Sequence, residues 1–174
     1  MLKDKATLYI SAEEIKNICR DLGKQIEKDY QNQDLLLICV LKGSVIFFAD
    51  LVRQINLPLK MDFVRLSSYG SKTESSGTVT ILKDVTQDIR GQNVIIVEDI
   101  LDTGNTLKFL WNHLQASKPL SLKICTLLDK PSRRKVAMEA DYVGRKIEDH
   151  FVVGYGLDVN EKCRNYADIF YFKT

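Results

Sequence analysis

Three carboxylates, Glu98, Asp99 and Asp102, lie between the apolar run Val94-Ile95-Ile96-Val97 and the small polar segment Thr103-Gly104-Asn105-Thr106. Like charges a few ångströms apart raise one another's pKa unless a cation or hydrogen-bond donors compensate, so the cluster points to a metal or a polyhydroxyl ligand. The segment that follows offers backbone N–H groups and hydroxyls at a helix start, where the dipole favours a phosphate. Acids beside a phosphate cradle suit a sugar phosphate. The plainer alternative is that Asp102 or Thr103 caps the helix and the two preceding acids are solvated. A lone Asp-Thr-Gly would favour that reading; the full pattern is more specific. Two other phosphate motifs fail on inspection. A Walker loop needs Lys after its glycine, whereas Gly104 is followed by Asn105 and Thr106; Gly154-Tyr155-Gly156 lacks a third glycine at Val159.

These groups need a scaffold, and the chain alternates between two periodicities. Ser11-Ala12-Glu13-Glu14 reads as a capping box, followed by Ile15, Ile18, Cys19, Leu22 and Ile26 at helical spacing. Leu35 to Leu41 is too apolar for a half-exposed strand; after Lys42-Gly43-Ser44, a helical pattern runs through Val45, Phe48, Leu51, Val52 and Ile55. Strands are expected at Leu59 to Leu66 and Val79 to Leu82, with the polar, small stretch Ser67 to Gly77 between them. The unit repeats as strand Val94 to Val97, a turn through Asp102-Thr103-Gly104, and a helix carrying Leu107, Leu110, Trp111 and Leu114. Leu122 to Leu128 reads as a further strand, and short pieces follow at Phe151 to Val153 and Ile169 to Phe172. Strands apolar on both faces, alternating with helices, predict an α/β fold with a parallel sheet covered by helices. Its functional groups belong at the carboxyl ends of the strands.

At 174 residues, with no internal repeat or linker, the chain is expected to form a single domain over 1–174. The 25 basic and 23 acidic residues nearly cancel, which argues against a nucleic-acid partner. Cys19, Cys39, Cys125 and Cys163 form no CxxC pair, so free buried thiols in a reducing compartment are expected, not a zinc or redox site. The N-terminal residues lack the apolar core of a signal peptide, and the longest apolar run is far short of the roughly 20 residues that span a bilayer. The expectation is a cytoplasmic protein with no membrane partner. His113 and His150 have no third ligand nearby in the sequence and read as ordinary surface or core residues.

Val97-Glu98-Asp99-Ile100-Leu101-Asp102-Thr103-Gly104-Asn105-Thr106 resembles the phosphoribosyl-pyrophosphate motif of the type I phosphoribosyltransferases. Leu41-Lys42-Gly43, Leu128-Asp129-Lys130 and the stretch Phe151 to Asp158 resemble the hypoxanthine-guanine branch in order and spacing. The likeness runs from about Leu41 to Arg164. It implies a central parallel sheet with flanking helices and a small hood made by the N-terminal region and the C-terminal strands. It also implies that Glu98 and Asp99 hold the ribose hydroxyls, partly through water and magnesium, and that Asp102 exchanges a proton with the purine imidazole. Thr103, Gly104, Asn105 and Thr106 would wrap the 5′-phosphate; Asn105 stands where some relatives have Lys, a lost positive charge. Lys42 and Gly43 match the pyrophosphate loop, with a cis peptide between Leu41 and Lys42, and Arg164 matches a pyrophosphate-contacting arginine. At the purine the resemblance places Lys130 on the 6-oxo group, Phe151 stacked on the ring beside Val152, and Asp158 as ligand of a second magnesium. Ser68 and Tyr69 match the tip of a lid, and the polar stretch after them suits a segment that moves.

The activity so implied is displacement of pyrophosphate from 5-phosphoribosyl-1-pyrophosphate by a ring nitrogen of hypoxanthine or guanine, with Mg2+ as cofactor. Small-molecule substrates and a homodimer or homotetramer follow from the same resemblance. Two alternatives differ in class or specificity: a nucleic-acid-binding regulator that retains the pocket, and a xanthine-preferring transferase. The near-neutral charge, together with Lys130, Phe151 and Asp158, favours the enzyme.

Overall fold

A computed structural model of the chain describes residues 6–69 and 78–172. The first element, β1 (Ala6–Ile10), leads into α1 (Ala12–Asp29), which begins with the expected capping box. Ser11 accepts from the Glu14 amide, while the Glu14 carboxylate accepts from the Ser11 amide at 2.8 Å. Next come β2 (Leu35–Leu41), α2 (Val45–Val52), β3 (Lys60–Tyr69), β4 (Thr78–Lys83), β5 (Asn93–Leu101), α3 (Asn105–Ala116) and β6 (Ser121–Asp129). β7 (Tyr142–Lys146), β8 (Val152–Val153) and β9 (Ile169–Phe172) complete the chain. No described helix is long and apolar enough to cross a membrane.

Six strands form one sheet in the order β4-β3-β2-β5-β6-β7, with every pairing parallel except β3 with β4. The apolar run of β2 is explained by its central position. Leu35, Leu37 and Cys39, with Ile95 and Val97 of β5, face one core shared with α1 and α2. Leu36, Ile38 and Val40, with Val94 and Ile96, face a second core filled by Leu107, Leu110 and Leu114 of α3. A strand buried on both faces cannot alternate in polarity. A second sheet, β1-β9-β8, is antiparallel and forms the small hood from the two chain ends. All four cysteines are free and buried, as expected.

Three expectations change. α2 stops at Val52 and Ile55 lies beyond it in a turn, still buried. β5 extends past Val97 to Leu101, so Glu98 and Asp99 belong to the strand itself. β1 and β7 were not expected from the pattern, because each is a short strand with mixed burial. The polar stretch proposed to move lies, from Gly70 to Gly77, outside the described residues.

Among the polar groups buried in the sheet, one stands away from the carboxyl ends of β2, β5 and β6 and stabilises the fold. Asp62 of β3, 4% exposed, accepts from the amides of Phe63, Thr86 and Gln87 at 2.7, 2.6 and 3.0 Å and from the Thr86 hydroxyl at 3.1 Å. Burial pushes its carboxyl up, but these donors outweigh burial and hold it below the usual carboxylate range. A depressed folded-state pKa stabilises the fold above the unfolded value of about 4, and the gain is lost as pH falls through the folded value. Asp62→Asn should therefore lower stability at pH 7 by about 1–3 kcal/mol. Urea midpoints at pH 7 and pH 3 check this: the gap between parent and variant must shrink at pH 3, and an equal gap would exclude the charge as the cause.

Candidate active site

The carboxyl ends of β2, β5 and β6 converge, and each delivers part of the site. β2 ends in Lys42-Gly43-Ser44, joined to it by a cis peptide between Leu41 and Lys42. A Cβ on Gly43 would stand 1.8 Å from Asp99 Oδ2, and a Cβ on Gly156, at φ +99°, would stand 2.0 Å from the Gly43 carbonyl oxygen. The loop is thus clamped between the β5 carboxylate and the Gly154–Gly156 turn: a side chain at residue 43 would displace the Asp99 carboxylate, and at Gly156 only glycine fits. The sequence places Gly156 in the stretch Phe151 to Asp158 and in a failed dinucleotide motif, and neither reading indicates its contact with Gly43.

β5 supplies the acids. Burial, and then the charge of Asp99, push the Glu98 carboxyl well above the usual range. Burial also raises Asp99, less so because Glu98, the Ile100 amide at 2.8 Å and Arg164 all favour its anion. A buried acid pair of this kind is stabilised by donors or a cation. Among the described residues, however, no three His, Cys, Asp or Glu side chains cluster as metal ligands. Glu98 and Asp99 are one group and Asp158 another, held by Arg164 at 2.9 Å. Glu98 and Asp99 would suit magnesium, which keeps several waters and rarely has an all-protein cage, whereas both Asp158 oxygens already have protein partners, Arg164 at 2.9 Å and the Glu161 amide at 2.8 Å.

Asp102, Thr103 and Gly104 turn the chain from β5 into α3. Gly104 occupies the cap position at φ +84°, so Asp102 does not cap the helix, while the Thr103 hydroxyl accepts a long 3.5 Å contact from the Asn105 amide. Beside this helix start lies a cavity of about 90 Å³ lined by Glu98, Asp102, Thr103, Gly104 and Thr106, with Ile100, Leu101 and Leu107. An uncapped helix start above a small polar cavity is an anion cradle. A second cavity, about 250 Å³, shares Ile100 and Asp102 with the first and adds Asp99, Lys130, Phe151, Val152 and Asp158. Asp102 therefore stands between a phosphate-sized space and a base-sized one.

Lys130 directly follows β6. It is only 6% exposed, donates to the His150 carbonyl oxygen at 2.5 Å and lies 3.9 Å from Asp149. Phe151 is 53% exposed, its ring 5.9 Å from that of Phe172, so it is not a core residue. His150 stacks on Tyr171 and His113 pairs with Asp84, each an ordinary structural role. Ser68 and Tyr69 end β3. A cavity of about 620 Å³ behind Tyr155, between α1 and α2, is larger than either space of the site but holds none of its carboxylates.

Four residues essential to this geometry escaped the sequence. Glu161 accepts from Lys42 Nζ at 2.7 Å and lies 3.5 Å from Arg164, which donates to the Gly156 carbonyl oxygen at 2.7 Å. One acid thereby joins the two cations assigned to pyrophosphate. Arg133 pairs with Asp102 at 3.3 Å. Tyr155 donates to Asp50 of α2 at 2.5 Å and ties the turn to the helix that follows the Lys42 loop. Arg134 forms a close ion pair with Asp129 and donates to the carbonyl oxygens of Leu101 and Asp102 at 3.1 and 2.5 Å. Removing Arg134 strands a buried carboxylate, so Arg134→Met should cost about 3–5 kcal/mol. A urea titration tests it, with Arg134→Met/Asp129→Leu expected to regain most of the loss; no regain would show that the two carbonyl contacts dominate.

An acid pair, an uncapped helix start and a cavity between them, all at the carboxyl edge of a parallel sheet, define a protein that handles phosphorylated sugars. The chain belongs to the phosphoribosyl transferase domain family, whose sequence profile matches residues 10–160. It is 52% identical to a hypoxanthine-guanine phosphoribosyltransferase of Staphylococcus epidermidis, over 95% of this chain and 92% of that protein. The structure superposes on a hypoxanthine phosphoribosyltransferase of Staphylococcus aureus with a TM-score of 0.94 and 48% identity, covering 99% of this chain and 94% of the other. A hypoxanthine-guanine phosphoribosyltransferase of Bacillus anthracis, also 48% identical, superposes with a TM-score of 0.91 over 96% and 98% of the two chains. The expected fold of the family is thereby the fold observed.

Proposed function

We propose that this chain transfers the phosphoribosyl group of 5-phosphoribosyl-1-pyrophosphate to hypoxanthine or guanine, giving inosine or guanosine monophosphate and pyrophosphate. The observation that carries the reading is Asp102, shared by the phosphate-sized and base-sized cavities. The near-complete coverage of hypoxanthine-guanine relatives supports it.

In this reading residues 1–174 act as one domain. The amides and hydroxyls from Thr103 to Thr106 hold the 5′-phosphate, without the cation that Lys would add at Asn105. Glu98 and Asp99 hold the ribose hydroxyls. Lys42, Gly43 and Arg164 receive pyrophosphate, and Glu161 balances the charge of the two cations until it arrives. Lys130 donates to the 6-oxo group, Phe151 covers the ring, and Val152 and Asp158 line its far side. Asp102 takes the imidazole proton as the ring nitrogen bonds to the anomeric carbon. Ser68 and Tyr69 serve as the tip of a lid over the site. Mg2+, held by Glu98, Asp99 and Asp158 with substrate oxygens, would neutralise the departing pyrophosphate. The transition state resembles a sugar cation, so catalysis rests on position and charge rather than on an enzyme nucleophile. A homodimer or homotetramer in the cytoplasm completes the proposal.

The test is direct: protein, Mg2+, 5-phosphoribosyl-1-pyrophosphate and each of hypoxanthine, guanine, xanthine and adenine, followed by ultraviolet absorbance. Turnover of the first two supports the reading, and turnover of xanthine alone would move the chain to the other specificity.

A further inference from the structure

The short turn Pro131–Arg133 directly follows Lys130, which lines the base cavity. Lys130 is buried, and Arg133 closes the turn with an amide that donates to the Lys130 carbonyl oxygen at 3.1 Å. From there the Arg133 guanidinium reaches two carboxylates, Asp102 Oδ1 through Nε at 3.3 Å and Asp149 Oδ2 through Nη1 at 3.6 Å. The other oxygen of Asp149 lies 3.9 Å from Lys130 Nζ. Lys130 and Asp102, which line the cavity, are therefore linked behind it by Asp149 and Arg133 in a chain of alternating charge.

We infer that Arg133 is the positioning residue for proton transfer: it fixes the Asp102 carboxylate through Oδ1 and leaves Oδ2 to meet the purine imidazole. The inference rests on the reading of Asp102 as the proton-exchanging group. A planar guanidinium fixes the direction of a carboxylate in a way that an ammonium does not. Asp149 has a distinct part in the arrangement. When the imidazole N–H proton moves to Asp102, the ring lone pair bonds to the anomeric carbon and the bond from that carbon to pyrophosphate breaks with its electron pair leaving on pyrophosphate, Asp102 becomes neutral. Arg133 stays protonated throughout, and Asp149 remains to balance its charge. In the reverse direction Asp102 returns the same proton and regains its partner. The fixed spacing from Lys130 to Arg133 along the turn thus couples the group that bonds the 6-oxo substituent to the group that orients the acid.

Arg133 is half exposed and lies outside both cores, so its replacement leaves the fold intact. The experiment measures kcat and both KM values for Arg133→Gln, Arg133→Lys, Asp102→Asn and the double variant Asp102→Asn/Arg133→Gln. Arg133→Gln should lower kcat by about 10–100-fold, the scale of a misplaced reacting group, with the KM for 5-phosphoribosyl-1-pyrophosphate unchanged. Arg133→Lys should recover part of the loss, and Arg133→Gln should have no further effect once Asp102 is Asn. A parent-like kcat in Arg133→Gln, or an equal loss in both backgrounds, overturns the inference while leaving the role of Asp102 standing. A parent-like kcat in Asp102→Asn overturns that role itself.

Discussion

Asp102→Asn is expected to lower kcat by about 10²–10⁴-fold, the usual scale of general acid–base catalysis, while the affinity for 5-phosphoribosyl-1-pyrophosphate changes little. Asparagine keeps the shape and one acceptor of aspartate but cannot take a proton. The backbone conformation at the turn is set by Gly104 and by the Arg134 contacts to the Leu101 and Asp102 carbonyl oxygens, neither of which the substitution touches. Because Asp102 is no helix cap, the loss cannot be charged to a weakened α3. Product release sets the rate in many enzymes, so single-turnover measurement is the cleaner test. An unchanged single-turnover rate would leave Asp102 as a wall between two cavities and nothing more.

The sequence carried the scaffold because parallel strands declare themselves. Leu35 to Leu41 and Val94 to Val97 are apolar on both faces, and the structure places a core on each side of them. The acid cluster was legible for a related reason, since carboxylates adjoining such a strand have no structural use that repays their burial. The strand's continuation through Glu98 to Leu101 was not legible, because charged residues break the apolar pattern that marks a strand. β1 and β7 were lost for want of contrast: partly exposed edge strands have no fixed polarity. The contacts that set the geometry were the hardest to read, being pairings across long separations. Nothing near Glu161 announces that it bridges Lys42 and Arg164, and Gly156 shows its purpose only when the Gly43 carbonyl oxygen appears against it. For Lys130 the sequence left a solvated lysine beyond a strand end as a fair alternative, and its burial excludes that.

That burial sets up the second large effect, rejection of adenine. An ammonium has three N–H donors and no acceptor. The His150 carbonyl oxygen and the Asp149 carboxylate engage two directions of Lys130, which leaves a donor for the cavity that Lys130 lines. A 6-oxo group accepts that donor. The 6-amino group of adenine meets it donor against donor, and a buried cation is left short of a partner. Sites built to bond one polar substituent reject the analogue that lacks it by roughly 10⁴-fold or more, beyond what shape gives in an apolar pocket. Lys130→Gln replaces the donor-only group with an amide that offers either a donor or an acceptor. Discrimination between hypoxanthine and adenine, measured as the ratio of kcat/KM values, should then shrink by at least about tenfold, mainly through loss of the hypoxanthine rate. Two features localise the effect to the base. Lys130 lines the larger cavity but not the cradle at Thr103 to Thr106, so the KM for 5-phosphoribosyl-1-pyrophosphate should stay near its parent value. The His150 carbonyl oxygen can still accept from the glutamine amide, so the hood need not shift. A discrimination ratio equal to that of the parent protein would show that Lys130 serves the hood through His150 and does not read the base.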